Sequence, residues 1–163
     1  QLQTGDHEMK SEHTGLLSIL ERVVNDHKDV VAEKELELLV INEAKDDTVF
    51  VDTSDAKNIL FFLIENAIKF TRAGGILITL TEGEGGAVSI SIKDTGTGIS
   101  EDYLPNLFEP FVQQETGYSR PFEGLGLGLP IVKKLVDLNN CRIEVESKPD
   151  KGSTFTVWFP KDR

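Results

Sequence analysis

Four short segments carry residues whose types and spacing could do chemistry: ENAIKFT at 65–71, DTGTG at 94–98, LFEPF at 107–111 and GLGLGL at 124–129. Asp94 stands where a run of β-forming residues gives way to a glycine turn, so its carboxylate can face a cavity with the chain close behind it. Gly96 and Gly98 allow backbone angles and close approaches that a side chain forbids. Asn66 and Lys69 are three residues apart in a helical pattern and so project from one face. An amide oxygen there suits magnesium, a hard cation that prefers oxygen ligands, and an ammonium meets a phosphate as a point charge. GLGLGL runs into PIVKKL, which places glycines at an expected helix start, where free N–H groups and the positive end of the helix dipole attract anions. Taken singly, each segment also has a plainer reading. DTGTG could be a turn with an aspartate, Asn66 and Lys69 a solvated helix face, the glycine repeat a linker, and Phe108 and Phe111 ordinary core residues.

The elements that must position these residues follow from periodicity. Apolar residues recur at helical spacing over residues 16–32, and ELELLVI then alternates as a strand. TVFVD reads as a short strand, and Thr53, Ser54 or Asp55 can cap a long apolar helix that runs through Phe70. ILITLTE and AVSISIKD, rich in β-branched residues and separated by GEGG, read as a hairpin. A short helical piece is expected near 102–108 and a mobile polar loop over 113–124. Pro130, at a first-turn position, marks a third helix, and CRIEVES and STFTVWFP supply two closing strands around KPDKG. Helices alternate with strands that include adjacent hairpins. The expected fold is therefore α+β, a two-layer α/β sandwich in which a mixed sheet is covered on one face by helices. Residues 1–12 read as a linker or the end of a preceding helix, and residues 13–163 as one domain.

Composition bounds the function. With 39% hydrophobic and 28% charged residues in 163, the chain has the make-up of a soluble globular domain. It contains no apolar run of the roughly 18 to 20 residues a membrane span needs, and QLQTGDHEMK has no signal-peptide core. A single cysteine, Cys141, rules out an internal disulfide framework and fits a reducing compartment, so cytoplasm is the expected location. The formal net charge of −11 repels a phosphate backbone and no basic stripe appears, so nucleic acid is not an expected partner. A small anionic ligand stays compatible, because salt screens the distant field within about 10 Å and local groups decide.

In this order and on these elements, the four segments resemble the nucleotide-binding domain of histidine kinases, in the superfamily shared with gyrase, the Hsp90 chaperones and MutL. The resemblance runs from about His13 to Phe159 and implies the Bergerat-type ATP-binding fold, with three helices on the sheet. It implies ATP and Mg2+ as ligands. Asp94 would accept from the exocyclic amine of adenine, Asn66 would hold the metal, Lys69 would meet phosphate, and Gly96 and Gly98 would shape the base pocket. The segment Gly124, Leu125, Gly126, Leu127 and Gly128 would cradle the phosphates, with Arg120 reaching them from a lid over 113–123. Thr154 would support adenine recognition. LFEPF resembles the phenylalanine box that anchors the lid.

Phe62 departs from the pattern, standing where many histidine kinases have a second asparagine and hydrolytic relatives a glutamate that activates water. The lack of a carboxylate there points to transfer rather than hydrolysis. The implied acceptor is a histidine on a separate dimerisation domain of the parent kinase, with a response-regulator receiver domain downstream. The implied parent leaves membrane anchoring open. His7 loosely echoes an acceptor motif, but the chain after it is too short for a helix pair; His13 and His27 read as surface residues. Without the dimerisation helices the chain is expected to be monomeric and unable to label itself. A degenerate regulatory nucleotide-binding module and a serine kinase of the same superfamily are the alternatives.

Overall fold

Alternating apolar residues build the central sheet. The computed structural model describes residues 9–99, 107–108 and 123–162. In chain order the elements are β1 (Ser11–Gly15), α1 (Leu16–Asp26), α2 (Lys28–Glu33), β2 (Glu37–Asn42), β3 (Thr48–Asp52), α3 (Thr53–Lys69), β4 (Gly75–Glu82), β5 (Val88–Asp94), α4 (Glu123–Leu138), β6 (Arg142–Lys148) and β7 (Gly152–Phe159). Five strands form one sheet in the order β2-β4-β5-β7-β6, with β2 and β4 parallel and the other pairs antiparallel. The sheet is mixed, as expected, and the β4–β5 hairpin pairs Ile78 with Ile92.

On β4, β5 and β7 every second residue (Ile76, Ile78, Leu80; Val88, Ile90, Ile92; Phe155, Val157, Phe159) is buried. Against that face lie Leu16, Leu20 and Val23 of α1, Ile59, Leu60, Leu63 and Ile64 of α3, and Leu129, Val132, Leu135 and Val136 of α4, all buried in the same core. The intervening strand residues, among them Thr79, Ser91 and Thr156, remain partly exposed. The result is the two-layer α+β sandwich.

Several local expectations change. β1 pairs antiparallel with β3 in a separate two-stranded sheet, so the boundary read between residues 12 and 13 falls inside a strand. The single helix expected over 16–32 divides at His27. That imidazole is buried rather than on the surface: its Nδ1 lies 2.9 Å from the Val23 carbonyl oxygen and its ring centroid 4.8 Å from that of Phe61. The cap of α3 is Asp52, whose Oδ1 accepts from the Asp55 N–H at 2.9 Å, not Thr53, Ser54 or Asp55 itself. Gly15, at the N-cap of α1, has no side-chain oxygen to offer; Asp47 supplies it from another loop, accepting from the N–H groups of Leu16 (3.1 Å, carbonyl) and Leu17 (2.7 Å, carboxylate).

The largest correction is α4. It begins at Glu123, so GLGLGL is helical and Pro130 lies inside the helix, not in its first turn. Pro130 has no N–H for the Gly126 carbonyl, a cost of roughly 3 kcal/mol in an isolated helix. Packing overrides it, since Leu129 and Val132, on either side of the proline, are fully buried. At the far end Asn139 joins three elements: its Oδ1 accepts from Asp52 N–H (2.9 Å) and its Nδ2 donates to Asp55 Oδ2 (3.0 Å). Asp52 Oδ2 in turn accepts from the Lys10 N–H at 2.8 Å, tying the start of β1 to the same knot.

Candidate functional site

Asp94 is the last residue of β5 and stands opposite Ser153 of β7 on the helix-covered face. It is 5% exposed, and its Oδ1 accepts from the backbone N–H groups of Gly96 (2.9 Å) and Ser153 (3.2 Å). Burial raises the carboxyl above the ordinary carboxylate range, and the two N–H groups pull partly the other way. One oxygen is thus fixed by the protein, while the residue borders a cleft between α3 and the ends of β5 and β7. Asn66, Ala67, Phe70, Ile99 and Ser153 line that cleft with it.

The turn after Asp94 has to contain glycine. A Cβ on Gly96 would stand 2.2 Å from the Phe70 carbonyl oxygen, and one on Gly98, at φ +75°, would stand 1.9 Å from the Lys148 carbonyl oxygen. The turn is strapped on both sides, by Thr97 N–H to the Phe70 carbonyl (3.1 Å) and Ile99 N–H to Ser147 Oγ (2.7 Å).

Asn66 faces the cleft from α3. It is 5% exposed, and its Nδ2 has no hydrogen-bond partner among the described residues. An unpaired buried donor costs about 1–3 kcal/mol, which a ligand acceptor would recover. Lys69, one turn on, is exposed and does not line the cleft, so the two residues expected on one face have different surroundings. Thr154 lies on the opposite face of the sheet, in register with Lys93 and Glu146. Its neighbour Ser153 takes the place at the cleft. The alternation of Phe155, Val157 and Phe159 would have identified Ser153, because it shares their face.

Gly124 and Leu125 lie in the opening turn of α4, where the N–H groups have no acceptor within the helix, whereas those of Gly126, Leu127 and Gly128 are within the helix. The stretch of the glycine segment that offers N–H groups at the helix start is thus its first half only. Gly128 instead packs on α3: a Cβ there would be 3.2 Å from Cδ1 of Phe62. Of the phenylalanine box, Leu107 is buried and Phe108 packs against the core. Phe111, Arg120 and residues 113–122 of the expected lid lie outside the described residues, as do residues 102–106 of the short helical piece.

Among the described residues no group of three or more His, Cys, Asp or Glu could hold a metal ion. Asn66, at the cleft, is a residue whose amide oxygen suits magnesium, a cation that retains several waters and needs few protein ligands. Cys141 plays no part; burial, helped by nearby Asp55, pushes its thiol up to about 12.

Residues 51–163 match the family model described as histidine kinase-, DNA gyrase B-, and HSP90-like ATPase. The autoinducer 2 sensor kinase/phosphatase LuxQ of Vibrio harveyi is 38% identical over 146 residues, which cover 85% of this chain but 17% of that protein. Full-length ShkA, solved in complex with AMPPNP, superposes with a TM-score of 0.82 at 30% identity over 94% of this chain and 32% of its own. ThkA in complex with the response regulator protein TrrA has the same fold, with a TM-score of 0.78 at 23% identity, covering 94% of this chain and 42% of its own. The ordered motifs, the sheet and the buried aspartate beside a glycine turn thus coincide with the match over most of the sequence, and the chain belongs to the histidine kinase-, DNA gyrase B- and HSP90-like ATPase family, in its histidine kinase branch.

Proposed function

We propose that the chain binds Mg-ATP and directs its γ-phosphate to a histidine on a separate dimerisation domain, as the catalytic part of a cytoplasmic two-component kinase module. The observation that carries this is Asp94: a buried carboxylate with one oxygen held by two N–H groups, beside a cleft that also contains Asn66, whose Nδ2 has no partner among the described residues. Such an acceptor favours the adenine amine and rejects a base that lacks it. Asn66 would hold the metal, Lys69 and the first turn of α4 would meet the phosphates, and Arg120 would approach from the lid. Catalysis by such a site is mostly positioning and charge stabilisation. The acceptor nitrogen bonds to the γ-phosphorus as its bond to the bridging oxygen breaks, and ADP leaves.

Neither described histidine is suited to be that acceptor. His27 is buried against Phe61, and His13 lies in β1 with its Nε2 3.5 Å from Asp162 Oδ1. The chain spans 17% of LuxQ, so the acceptor helices and a response-regulator receiver are proposed as partners supplied by a larger assembly. The domain is proposed to start at about Ser11, with the preceding residues as its linker. Incubation with Mg-ATP labelled at the γ-phosphate and a separate acceptor helix pair tests the reading. Acid-labile label on the helix pair is expected; nucleotide binding with no transfer to any histidine helix pair would favour the second reading, a regulatory module without transfer. Phe62, an apolar side chain one turn from Asn66, is the observation that favours this second reading.

A further inference from the structure

α3 presents Phe62 and Asn66 four residues apart, hence one above the other on the same side of the helix. Asn66 carries a buried amide whose Nδ2 has no hydrogen-bond partner among the described residues; Phe62 carries no polar atom in its side chain. The Phe62 ring is half-buried and seated on Gly128 of α4, with Cδ1 and Cγ 3.2 and 3.5 Å from the position a Cβ would take. It meets Phe61 edge-on, with ring centroids 5.9 Å apart at 87°, and Phe61 in turn packs on His27 at 4.8 Å. A row of rings therefore runs from the α1–α2 break across α3 to the glycine-rich helix and holds Phe62 in place. The first turn of α4, whose N–H groups have no acceptor within the helix, starts five residues before Gly128.

Resting on the nucleotide-binding reading above, we infer that Phe62 is a positioning and specificity-determining residue: it seats the glycine-rich turns of α4 through Gly128 and leaves Asn66 as the single buried amide of α3, Asn58 being exposed. Nucleotide affinity then depends on the base contact and the backbone donors, and only weakly on a divalent cation. With a second amide at position 62 the metal would gain a ligand while α4 would lose its apolar seat, so the two contributions trade against each other.

The test is calorimetric titration of the full chain with ATP, in Mg2+ and in EDTA, for the wild type, F62N, F62L and G128A, with thermal melts to confirm folding. In the wild type Mg2+ is expected to raise affinity by less than about tenfold, the equivalent of one modest contact. F62N is expected to bind more weakly in EDTA but to show a larger increase with Mg2+ than the wild type. F62L keeps the wild-type metal increment, because it changes packing without adding a ligand. G128A weakens binding in the wild-type background and less so combined with F62L, since the added methyl meets the ring. A wild-type increment of about a hundredfold or more, or an F62N increment equal to the wild type's, overturns the inference. Should F62N fail to fold, the wild-type increment and the G128A/F62L cycle still decide it. Absence of nucleotide binding under both conditions overturns the proposed function along with this inference, whereas binding with a large metal increment overturns this inference alone.

Discussion

Replacing Asp94 in two ways separates its structural work from its binding work. Oδ1 accepts from the N–H groups of Gly96 and Ser153 at 2.9 and 3.2 Å. Asp94→Asn keeps an oxygen there and removes a buried charge. Asp94→Ala leaves two buried donors unpaired, each worth roughly 1–3 kcal/mol, so a loss of about 2–6 kcal/mol in stability is expected. Both variants lose the charged acceptor proposed for the adenine amine, worth about 1.5–3 kcal/mol or roughly 10- to 150-fold in Kd. In Asp94→Asn the amide NH2 also opposes the base amine, donor against donor. The folded carboxyl is raised above its ordinary value, so its stability contribution is complete below that value and is lost as pH rises through the folded pKa. Asp94→Asn has no such loss. Its stability relative to the wild type should therefore be least favourable at low pH and improve as pH rises through the folded pKa. Thermal melts across pH, paired with ATP and GTP titrations, provide the assay. An Asp94→Asn variant that binds ATP within about threefold of the wild type, or that melts as early as Asp94→Ala at neutral pH, would refute the reasoning.

Other outcomes follow from the same geometry. The chain incubated alone with γ-labelled Mg-ATP should acquire no acid-labile label; mass spectrometric detection of phosphate on His7, His13 or His27 would contradict the proposed acceptor. Gly96→Ala, whose Cβ would stand 2.2 Å from the Phe70 carbonyl oxygen, should lose about 1–3 kcal/mol or more in denaturant unfolding and weaken ATP binding. Thr154→Ala should leave ATP affinity unchanged, while Ser153→Ala, which breaks the 2.7 Å bond to Ser147 Oγ, should cost about 0.5–1.5 kcal/mol in stability. Cys141, with its thiol at about 12, should react with a disulfide reagent at pH 8 on the order of a thousandfold more slowly folded than unfolded, judged by thiolate fraction alone; equal rates would show that its environment is open.

The sheet and its helices were legible because their signals are local. Alternation in ILITLTE, AVSISIKD and STFTVWF sets which side chains face the core, and a strand register error of one residue would expose every buried isoleucine of β4 and β5. DTGTG identified the site for a similar reason, since the need for glycine at 96 and 98 is a property of the backbone at those positions. Alternation also contained the choice of Ser153 over Thr154, a signal in the sequence that similarity of motif obscured.

What the sequence by itself determined is the order of the elements, the core faces, the family and the position of Asp94, all of which depend on residue type and short-range spacing. Only the tertiary structure decided where helices begin, break and are capped. Asp47 caps α1 from a different loop, the break between α1 and α2 carries the buried His27, and α4 extends back through the glycines and Pro130 despite their poor intrinsic preference. It also decided that Phe62 rests on Gly128 and that Asn139 joins Asp52 to Asp55 across a separation of 84 residues or more. The physical reason is common to these cases: burial and hydrogen bonding between segments far apart in the chain outweigh local preferences of about 1 kcal/mol per residue, and their partners do not exist until the fold brings them together.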